Sequence, residues 1–259
     1  MKKILQKILG KTNYLRLEAR KKKLLPTSYD RQQEQFLQQQ LDFYAQVIKP
    51  GDLCFDIGGN IGLKTDVFLR LKAKVVTLEP QQDCVDILKA KYRKATILQK
   101  GAGAMNEVKE FYVSNNAALS SFTEGWVDEF KDSRFTGSSI KSVEKIEIVT
   151  LDSLIDTYGK PAFIKIDVEG FELEVLKGLS KEFGCLSFEY AVPEKLSNVI
   201  AELKHLQSKY PHLVCNYAIN NESSFALQNW ISINDMIEYV QQEQFSSSFA
   251  GDIYVRGQY

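Results

Sequence analysis

A glycine-rich loop follows a short apolar run near residue 55, and its residue types suit the binding of a small ligand. Residues 53–57 (LCFDI) predict a strand, which runs into Asp56-Ile57-Gly58-Gly59-Asn60-Ile61-Gly62. Glycines after a strand let the backbone approach a ligand closely, and the next helix offers free N–H groups. The pattern predicts a ligand crevice, and a tight turn with only a packing role is the alternative.

The spacing of these glycines excludes two phosphate-binding motifs. A dinucleotide fingerprint counted from Gly58 needs glycines at positions 60 and 63, where the chain has Asn60 and Leu63. A P-loop needs a Gly-Lys-Ser/Thr sequence, which does not follow. We therefore expect a crevice for a nucleoside-type ligand without pyrophosphate chemistry.

Glu79 ends the next predicted strand, residues 75–79, about 20 residues after the loop. An acid at this position can accept hydrogen bonds from both hydroxyls of a ribose. A solvated acid at a strand end is the alternative for Glu79 taken alone. Because it follows the glycine loop at the right interval, we expect the ribose role.

Further carboxylates are expected at the same edge of the sheet. The predicted strand 162–167 (AFIKID) delivers Asp167, and Glu169 follows it. We take these two as candidate catalytic residues, because a carboxylate whose pKa is raised by a neighbour can remove a proton from an acceptor. The alternative for Asp167 is that it caps the next helix, at about 171–178.

Three other residues are candidates for contact with the acceptor substrate. Glu189 ends the predicted strand 185–190, and Ser121 follows Ser120 in a long polar stretch. A helix cap is the alternative for the two serines. Lys165 is the third candidate, although we expect it on the opposite face of its strand from Asp167. A divalent cation shared by Asp167, Glu169 and Glu189 is a further alternative.

Predicted strands and helices alternate along the chain, which favours a parallel sheet covered by helices on both faces. The alternation pauses at about 106–148, where two strands bracket a stretch rich in Ser, Asn and Gly that is a candidate substrate lid. We predict two parts, a basic N-terminal segment with a helical extension (1–49) and a domain carrying this insertion (50–259). The predicted strands are 53–57, 75–79, 96–100, 108–113, 145–150, 162–167, 185–190, 212–219 and 252–256, and the predicted helices are 29–48, 62–72, 83–93, 151–158, 171–178 and 194–210.

The composition is that of a globular protein, with 44% hydrophobic and 25% charged residues. Its formal net charge is zero, but residues 1–25 carry nine basic side chains against one acid, so the rest of the chain has a net charge of −8. The body is therefore not expected to coat nucleic acid. The basic segment is either a peripheral membrane contact or a solvated helix that packs on the domain or on a partner.

The cysteines and histidines form no metal-binding pattern. Four cysteines lie far apart and two histidines are seven residues apart, so we expect no zinc site. Cys54 and Cys185 lie in apolar runs and are expected to be buried thiols in a reducing cytosol. The chain has no apolar run of about 18 residues and no unbroken signal-type segment, so we expect a cytoplasmic protein.

Four segments together give the sequence a family resemblance. They are the glycine loop 56–62, Glu79-Pro80, Thr150-Leu151-Asp152-Ser153-Leu154, and Ile164-Lys165-Ile166-Asp167-Val168-Glu169-Gly170-Phe171-Glu172. In this order they resemble the FkbM family of S-adenosylmethionine-dependent methyltransferases, over about residues 50–190. The loop is general to class I methyltransferases, whereas the last segment is more specific to this family.

The resemblance implies a Rossmann-like class I fold, here a mostly parallel seven-stranded sheet with an antiparallel strand at one end. It implies transfer of a methyl group from S-adenosylmethionine, typically to a hydroxyl of a sugar or another metabolite. The cofactor's methionyl end would lie at Asp56, Gly58, Gly59, Asn60 and Gly62, its ribose at Glu79, and its adenine at Gly101 and Ala102, which offer backbone but no acid. Gly59 departs slightly from the family, which often has Ala there.

Two other functions remain open on the sequence. One is a binding module that kept the fold and lost catalysis; the intact loop and Glu79 argue against a decayed site. The other is an enzyme that the basic segment brings to a glycan acceptor at a membrane.

Overall fold

The computed structural model describes residues 28–116, 119–126, 137–219 and 224–257, together with Gly10 and Asn13. The basic segment 1–25, with its proposed membrane contact, lies outside these residues apart from those two. Among the helices described, none combines the length and the apolar character needed to cross a membrane.

An eight-stranded sheet forms the centre of the molecule. Its strand order is β10-β9-β11-β8-β7-β1-β2-β3. The strands are β1 (Leu53–Ile57), β2 (Lys74–Leu78), β3 (Thr96–Leu98), β7 (Phe163–Ile166), β8 (Cys185–Ala191), β9 (Leu213–Ile219), β10 (Ile231–Ser232) and β11 (Ala250–Gly257).

The strands from β8 to β3 are all parallel, and β11 runs antiparallel between β8 and β9. From β1 the strand order proceeds outward through β2 and β3, and the chain then returns to β7 on the other side of β1. The strands β1 and β7 are therefore neighbours although about 100 residues separate them, and the strand order reverses between them. In an open sheet of this kind a ligand crevice forms beyond the carboxyl ends of the strands at such a reversal. The glycine loop and Asp167 both lie at this place.

Helices cover both faces of the sheet. They are α1 (Ser28–Tyr44), α2 (Leu63–Arg70), α3 (Gln82–Lys91), α4 (Leu151–Tyr158), α5 (Glu172–Lys177), α6 (Leu196–Lys209), α7 (Ile233–Tyr239) and α8 (Glu243–Ser246). Residues of α1 and α2 pack with Cys54 and Phe163 on one face. Residues of α4 to α8 pack with Phe55 and Ile164 on the other, where the larger core lies.

The segment expected to be an insertion, about 106–148, builds a second, three-stranded sheet together with Gly101–Ala102, which precede it. Its strands are β4 (Gly101–Ala102), β5 (Glu107–Ser114) and β6 (Ile140–Val149), in the order β4-β6-β5. A small apolar cluster of Phe111, Phe122, Ile146 and Ile148 holds this sheet together. Phe171 packs against the cluster, so the small sheet is fixed beside the ends of the central strands.

The structure confirms the predicted fold class, with two differences in detail. The antiparallel strand β11 lies inside the sheet, between β8 and β9, and the two-residue β10 adds an eighth strand. The helix expected at 171–178 is shorter, Glu172–Lys177, because two residues with positive φ, Glu169 and Gly170, precede it. All four cysteines are buried and free, as expected for Cys54 and Cys185.

Candidate functional site

A crevice of about 520 Å³ opens beyond the carboxyl ends of β1, β2 and β7. It brings together ten of the thirteen predicted site residues from five separate segments. They are Asp56, Gly58, Gly59, Asn60, Glu79, Gly101, Ala102, Asp167, Glu169 and Glu189. The other three, Gly62, Lys165 and Ser121, are not among the residues that line it.

The loop after β1 lies directly against the end of β7. Gly58 has a φ of 86°, and a Cβ added there would come within 1.8 Å of the Asp167 carbonyl oxygen. The Asp167 N–H also donates to the Ile57 carbonyl oxygen at 3.0 Å. Only glycine allows this approach, which explains the residue type at position 58 in terms of backbone packing.

Glu79 is buried at the floor of the crevice and is held by two backbone N–H groups. Its Oε2 accepts from the Asn60 N–H at 2.7 Å, and its Oε1 accepts from the Gln81 N–H at 2.8 Å. Asn60 has a φ of 45°, which aims its N–H at the carboxylate. Burial raises the pKa of Glu79 to about 7, although the two backbone donors act in the opposite direction.

Asp56 is buried one strand away from Glu79. Its Oδ2 accepts a hydrogen bond from Thr65 Oγ1 at 2.5 Å, and Thr65 Oγ1 also lies 2.8 Å from Thr77 Oγ1. Burial raises the pKa of Asp56 to about 6. The carboxylate is therefore fixed by a side chain of α2 and placed at the crevice wall.

Asp167, Glu169 and Glu189 converge at another part of the same crevice. One carboxylate oxygen from each lies within 4.8 Å of the other two, a spacing compatible with a shared cation. Burial, followed by the charge of Asp167, raises the pKa of both Glu169 and Glu189 well above the usual range. A proton is thus held more tightly here than on an ordinary carboxylate.

Asp167 does not cap the following helix. The N-cap position of α5 is Phe171, and no side chain caps it. Instead, Glu172 Oε1 accepts from the N–H groups of Val168 and Gly170, at 3.0 and 3.3 Å. The side chain of Asp167 is 36% exposed and faces the crevice, so the capping alternative is wrong.

The expectation that Lys165 faces away from Asp167 is also wrong. Lys165 Nζ lies 3.4 Å from Asp167 Oδ2, because residues two apart on a strand point to the same face. Lys165 is buried, and its Nζ donates to Asp252 Oδ1 of β11 at 2.7 Å. This ion pair crosses over β8, which lies between β7 and β11 in the sheet. Asp252 was not among the predicted residues.

Lys165 borders a second space of about 540 Å³ between α1 and α2. Asp167 and Glu189 border it as well, so the acidic residues separate this groove from the crevice. Lys165 is therefore buried on the α1 side of the sheet, beside this groove, and does not line the crevice itself.

The small sheet closes one side of the crevice, with Gly101, Ala102, Phe111, Asn116, Ser120 and Phe122 in its lining. Ser121, predicted to contact substrate, is buried and donates to the Glu169 carbonyl oxygen at 2.7 Å. It accepts from the Thr123 N–H, so it fixes the Glu169 turn and is not placed for substrate. Phe111 of the predicted strand 108–113 and Phe122 of the polar stretch that follows it are the crevice residues that the sequence reasoning overlooked.

Gly62 lies behind the crevice at the start of α2. A Cβ at this position would come within 2.2 Å of the Tyr92 ring, so this glycine allows α2 to pack against the end of α3. The structure therefore gives Gly62 a packing role, in place of the direct contact with the cofactor that the sequence predicted.

Comparison with known proteins identifies one family and one curated relative. A model of the Methyltransferase FkbM domain matches residues 56–210. The hexuronic acid methyltransferase AglP of Haloferax volcanii is 28% identical over 139 residues, which are 53% of this chain and 54% of that protein. The chain thus matches about half the length of this relative.

Solved structures with a related arrangement are also methyltransferases by name. The precorrin-6y C5,15-methyltransferase of Geobacter metallireducens GS-15 is 11% identical, with a TM-score of 0.41, and 92% of each chain is covered. A TehB-like SAM-dependent methyltransferase of Corynebacterium glutamicum is 8% identical, with a TM-score of 0.44, and the match covers 85% of this chain and 88% of that one.

Proposed function

The chain belongs to the FkbM family of S-adenosylmethionine-dependent methyltransferases, and on that premise we propose that it methylates a hydroxyl of a sugar or another small metabolite. The curated relative acts by name on a hexuronic acid, which supports a sugar-type acceptor. The observation that carries the proposal is the crevice itself. At one end it is lined by two acids suited to hold the cofactor, Asp56 and Glu79. At the other end it is lined by Asp167, Glu169 and Glu189.

The residues of the crevice fit S-adenosylmethionine. A carboxylate has about four acceptor positions. The Asn60 and Gln81 N–H groups and the Gln81 side chain occupy part of this capacity on Glu79, and the remainder is available to ribose hydroxyls. Asp56 offers a buried negative charge for the ammonium of the methionyl end. Gly101 and Ala102 leave backbone groups and a flat surface for the adenine, beside the Phe122 ring.

When bound, S-adenosylmethionine supplies an electrophilic methyl group on a sulfonium centre. The acceptor hydroxyl would need to be oriented and to lose its proton as its oxygen bonds to the methyl carbon. The bond between that carbon and sulfur would break in the same step and leave S-adenosylhomocysteine. We assign proton removal to Glu169, whose pKa is raised by burial and by Asp167. Its left-handed backbone, with a φ of 55°, is the kind of strained conformation that often marks functional residues.

We assign orientation of the acceptor to Asp167. Its carboxylate borders the crevice, and the buried ammonium of Lys165 lies 3.4 Å from its Oδ2 and fixes its position. Glu189 borders the same space and would accept a second hydrogen bond from the acceptor. The aromatic side chains Phe111 and Phe122 limit the access of water to the crevice.

The experiment has two stages on the full chain. Calorimetric titration with S-adenosylhomocysteine tests the cofactor site, and release of S-adenosylhomocysteine is then measured with a panel of hydroxylated sugars and their amine analogues. We expect binding and turnover with at least one hydroxylated acceptor. Absence of cofactor binding by the folded protein would overturn the cofactor assignments, whereas methylation only of amines would overturn the assignment to oxygen.

A further inference from the structure

A third cavity, of about 180 Å³, lies next to the acidic end of the crevice. We call it the glutamate cavity, because four of its five charged lining residues are glutamates. The five are Glu169, Glu172, Glu189, Glu202 and Lys195. Two of them, Glu169 and Glu189, also line the crevice, so the two spaces adjoin.

Two of the five charges have partners that account for their positions. Glu172 Oε1 accepts from two backbone N–H groups of the turn before α5. Lys195 Nζ lies 4.8 Å above the centre of the Trp126 ring at the cavity wall, in the geometry of a cation–π contact. The single lysine is therefore outnumbered by four carboxyl groups in this cavity.

Glu202 is the residue that points to a ligand. It comes from α6, is 2% exposed, and lines the cavity. Its Oε2 is buried and has no hydrogen-bond partner among the residues that the structure describes. A buried carboxyl oxygen without a partner costs free energy, whereas an occupant that supplied a donor or a positive charge would remove this cost.

The rest of the cavity wall favours an organic cation. Leu119, Tyr190 and Val199 give the cavity an apolar and aromatic surface around the carboxylates. Ammonium groups are recognised by this combination of carboxylates and ring faces. Burial raises the pKa of Glu202, as it does for Glu169 and Glu189, and a bound cation would favour the charged forms of all three.

We propose that the glutamate cavity is an acceptor subsite that binds an ammonium group. The proposal rests on the methyltransferase function proposed above and specifies its substrate: a hydroxylated molecule that also carries an amine, such as an amino sugar. The ammonium would lie beside Glu202, while a hydroxyl of the same molecule would lie in the crevice at Asp167 and Glu169. A carboxylate in place of the amine would be repelled by the glutamates.

Glucose and two derivatives that each differ from it at one position test this proposal: glucosamine carries an amine at C2, and glucuronic acid carries a carboxylate at C6. The full chain, saturated with S-adenosylhomocysteine, is titrated calorimetrically with glucosamine, glucose and glucuronic acid. We expect glucosamine to bind at least about tenfold more tightly than glucose, and glucuronic acid to bind most weakly. Equal affinities, or no binding of glucosamine up to about 10 mM, would overturn the proposal.

Two isosteric variants separate the subsite from general effects of charge. Glu202→Gln should remove most of the tenfold preference for glucosamine, whereas Glu174→Gln, at an exposed residue paired with Lys177, should keep it. Both should keep the affinity for S-adenosylhomocysteine, since neither residue lines the crevice. A preference for glucosamine that survives Glu202→Gln would overturn the assignment. The unsubstituted chain is also titrated with Mn²⁺, and Mn²⁺ binding that glucosamine does not displace would likewise overturn it.

The titrations also distinguish this inference from the proposed function. Failure of S-adenosylhomocysteine to bind would overturn the proposed function. Normal cofactor binding without a preference for the amine would overturn the subsite alone. Thermal unfolding of Glu202→Gln checks that the variant is folded before either conclusion is drawn.

Discussion

Lys165 Nζ lies 2.7 Å from Asp252 Oδ1, and both side chains are almost fully buried. The two residues are on β7 and β11, which are not neighbours in the sheet, so the ion pair crosses over β8. The same ammonium lies 3.4 Å from the carboxylate of Asp167 at the crevice. Asp252 is therefore connected to the acceptor end of the site through Lys165, without lining the crevice itself.

Replacement of Asp252 by Asn should destabilise the protein, because it leaves the buried ammonium of Lys165 with a weaker partner. Loss of one member of a buried pair typically costs about 3–5 kcal/mol, and the amide oxygen of Asn should reduce this to about 1–3 kcal/mol. Urea unfolding measures the change. Glu182→Gln, which removes an exposed pair with Lys160, is the control and should have little effect. An equally small effect of Asp252→Asn would show that the pair contributes little to stability.

Replacement of Glu79 by Ala should weaken the binding of S-adenosylhomocysteine by about tenfold to a hundredfold. Two hydrogen bonds to a charged group would be lost, each with a contribution of about 1.5–3 kcal/mol, less what water restores. Calorimetry measures the affinity, with Glu174→Gln as the control. An unchanged affinity for Glu79→Ala would remove the ribose assignment.

The affinity for S-adenosylhomocysteine should rise with pH through about 7, which is the pKa of buried Glu79. The charged carboxylate would accept hydrogen bonds from the ribose hydroxyls, whereas the protonated form, which predominates below pH 7, has less acceptor capacity. One pH unit below the pKa, the affinity should be about tenfold lower than on the plateau above it. Asp56, with a pKa of about 6, would add a second decrease at lower pH.

This pH dependence can be assigned with one variant. Glu79→Gln has no titratable group at this position, so its affinity should stay nearly constant between pH 6.5 and 8. A step near pH 7 that persists in Glu79→Gln would belong to another group. Titrations in buffers with different ionisation enthalpies would count the protons released on binding.

Replacement of Gly58 by Ala should lower cofactor affinity by more than about tenfold and reduce stability. The new Cβ would lie 1.8 Å from the Asp167 carbonyl oxygen, so the loop or β7 would have to move. Gly51 is a matched control, since it has a similar φ of 92° and no atom within 4 Å of an added Cβ. Gly51→Ala measures the cost of the backbone conformation alone. Equal losses in the two variants would contradict a specific role for the close contact.

Replacement of Glu169 by Gln should lower kcat by about 10²–10⁴-fold, the usual range for loss of a general base. The affinity for S-adenosylhomocysteine should change little, because the change is isosteric and lies at the acceptor end. Single-turnover release of S-adenosylhomocysteine with an active acceptor measures the chemical step. Full activity in Glu169→Gln would transfer the base role to another carboxylate, and Asp167→Asn would be the next variant.

The convergence of Asp56, the glycine loop and Glu79 at one crevice could be predicted from the sequence because it depends on local features. The glycine loop and Glu79 each end a short apolar strand, and two neighbouring parallel strands place them side by side. The same reasoning placed Asp167 and Glu169 at this edge. These predictions required only the parallel order of the strands, and they did not depend on the positions of distant segments.

The residues that were missed depend on contacts between distant segments. Asp252 meets Lys165 only because β11 inserts beside β8, and this insertion leaves no mark in either strand. Glu202 did leave a signal, since it lies on the buried face of α6 with Val199, Leu203 and Leu206. An acid on an apolar helix face predicts a buried carboxylate, although it does not identify the cavity that the carboxylate lines.

The contact between Gly58 and the Asp167 carbonyl has a kinetic consequence. The loop that would hold the cofactor and the strand end that would hold the acceptor are in direct backbone contact, so a shift of one should be transmitted to the other. A cofactor that settles this loop would also fix Asp167. We therefore expect compulsory-order kinetics, in which S-adenosylmethionine binds first and S-adenosylhomocysteine leaves last.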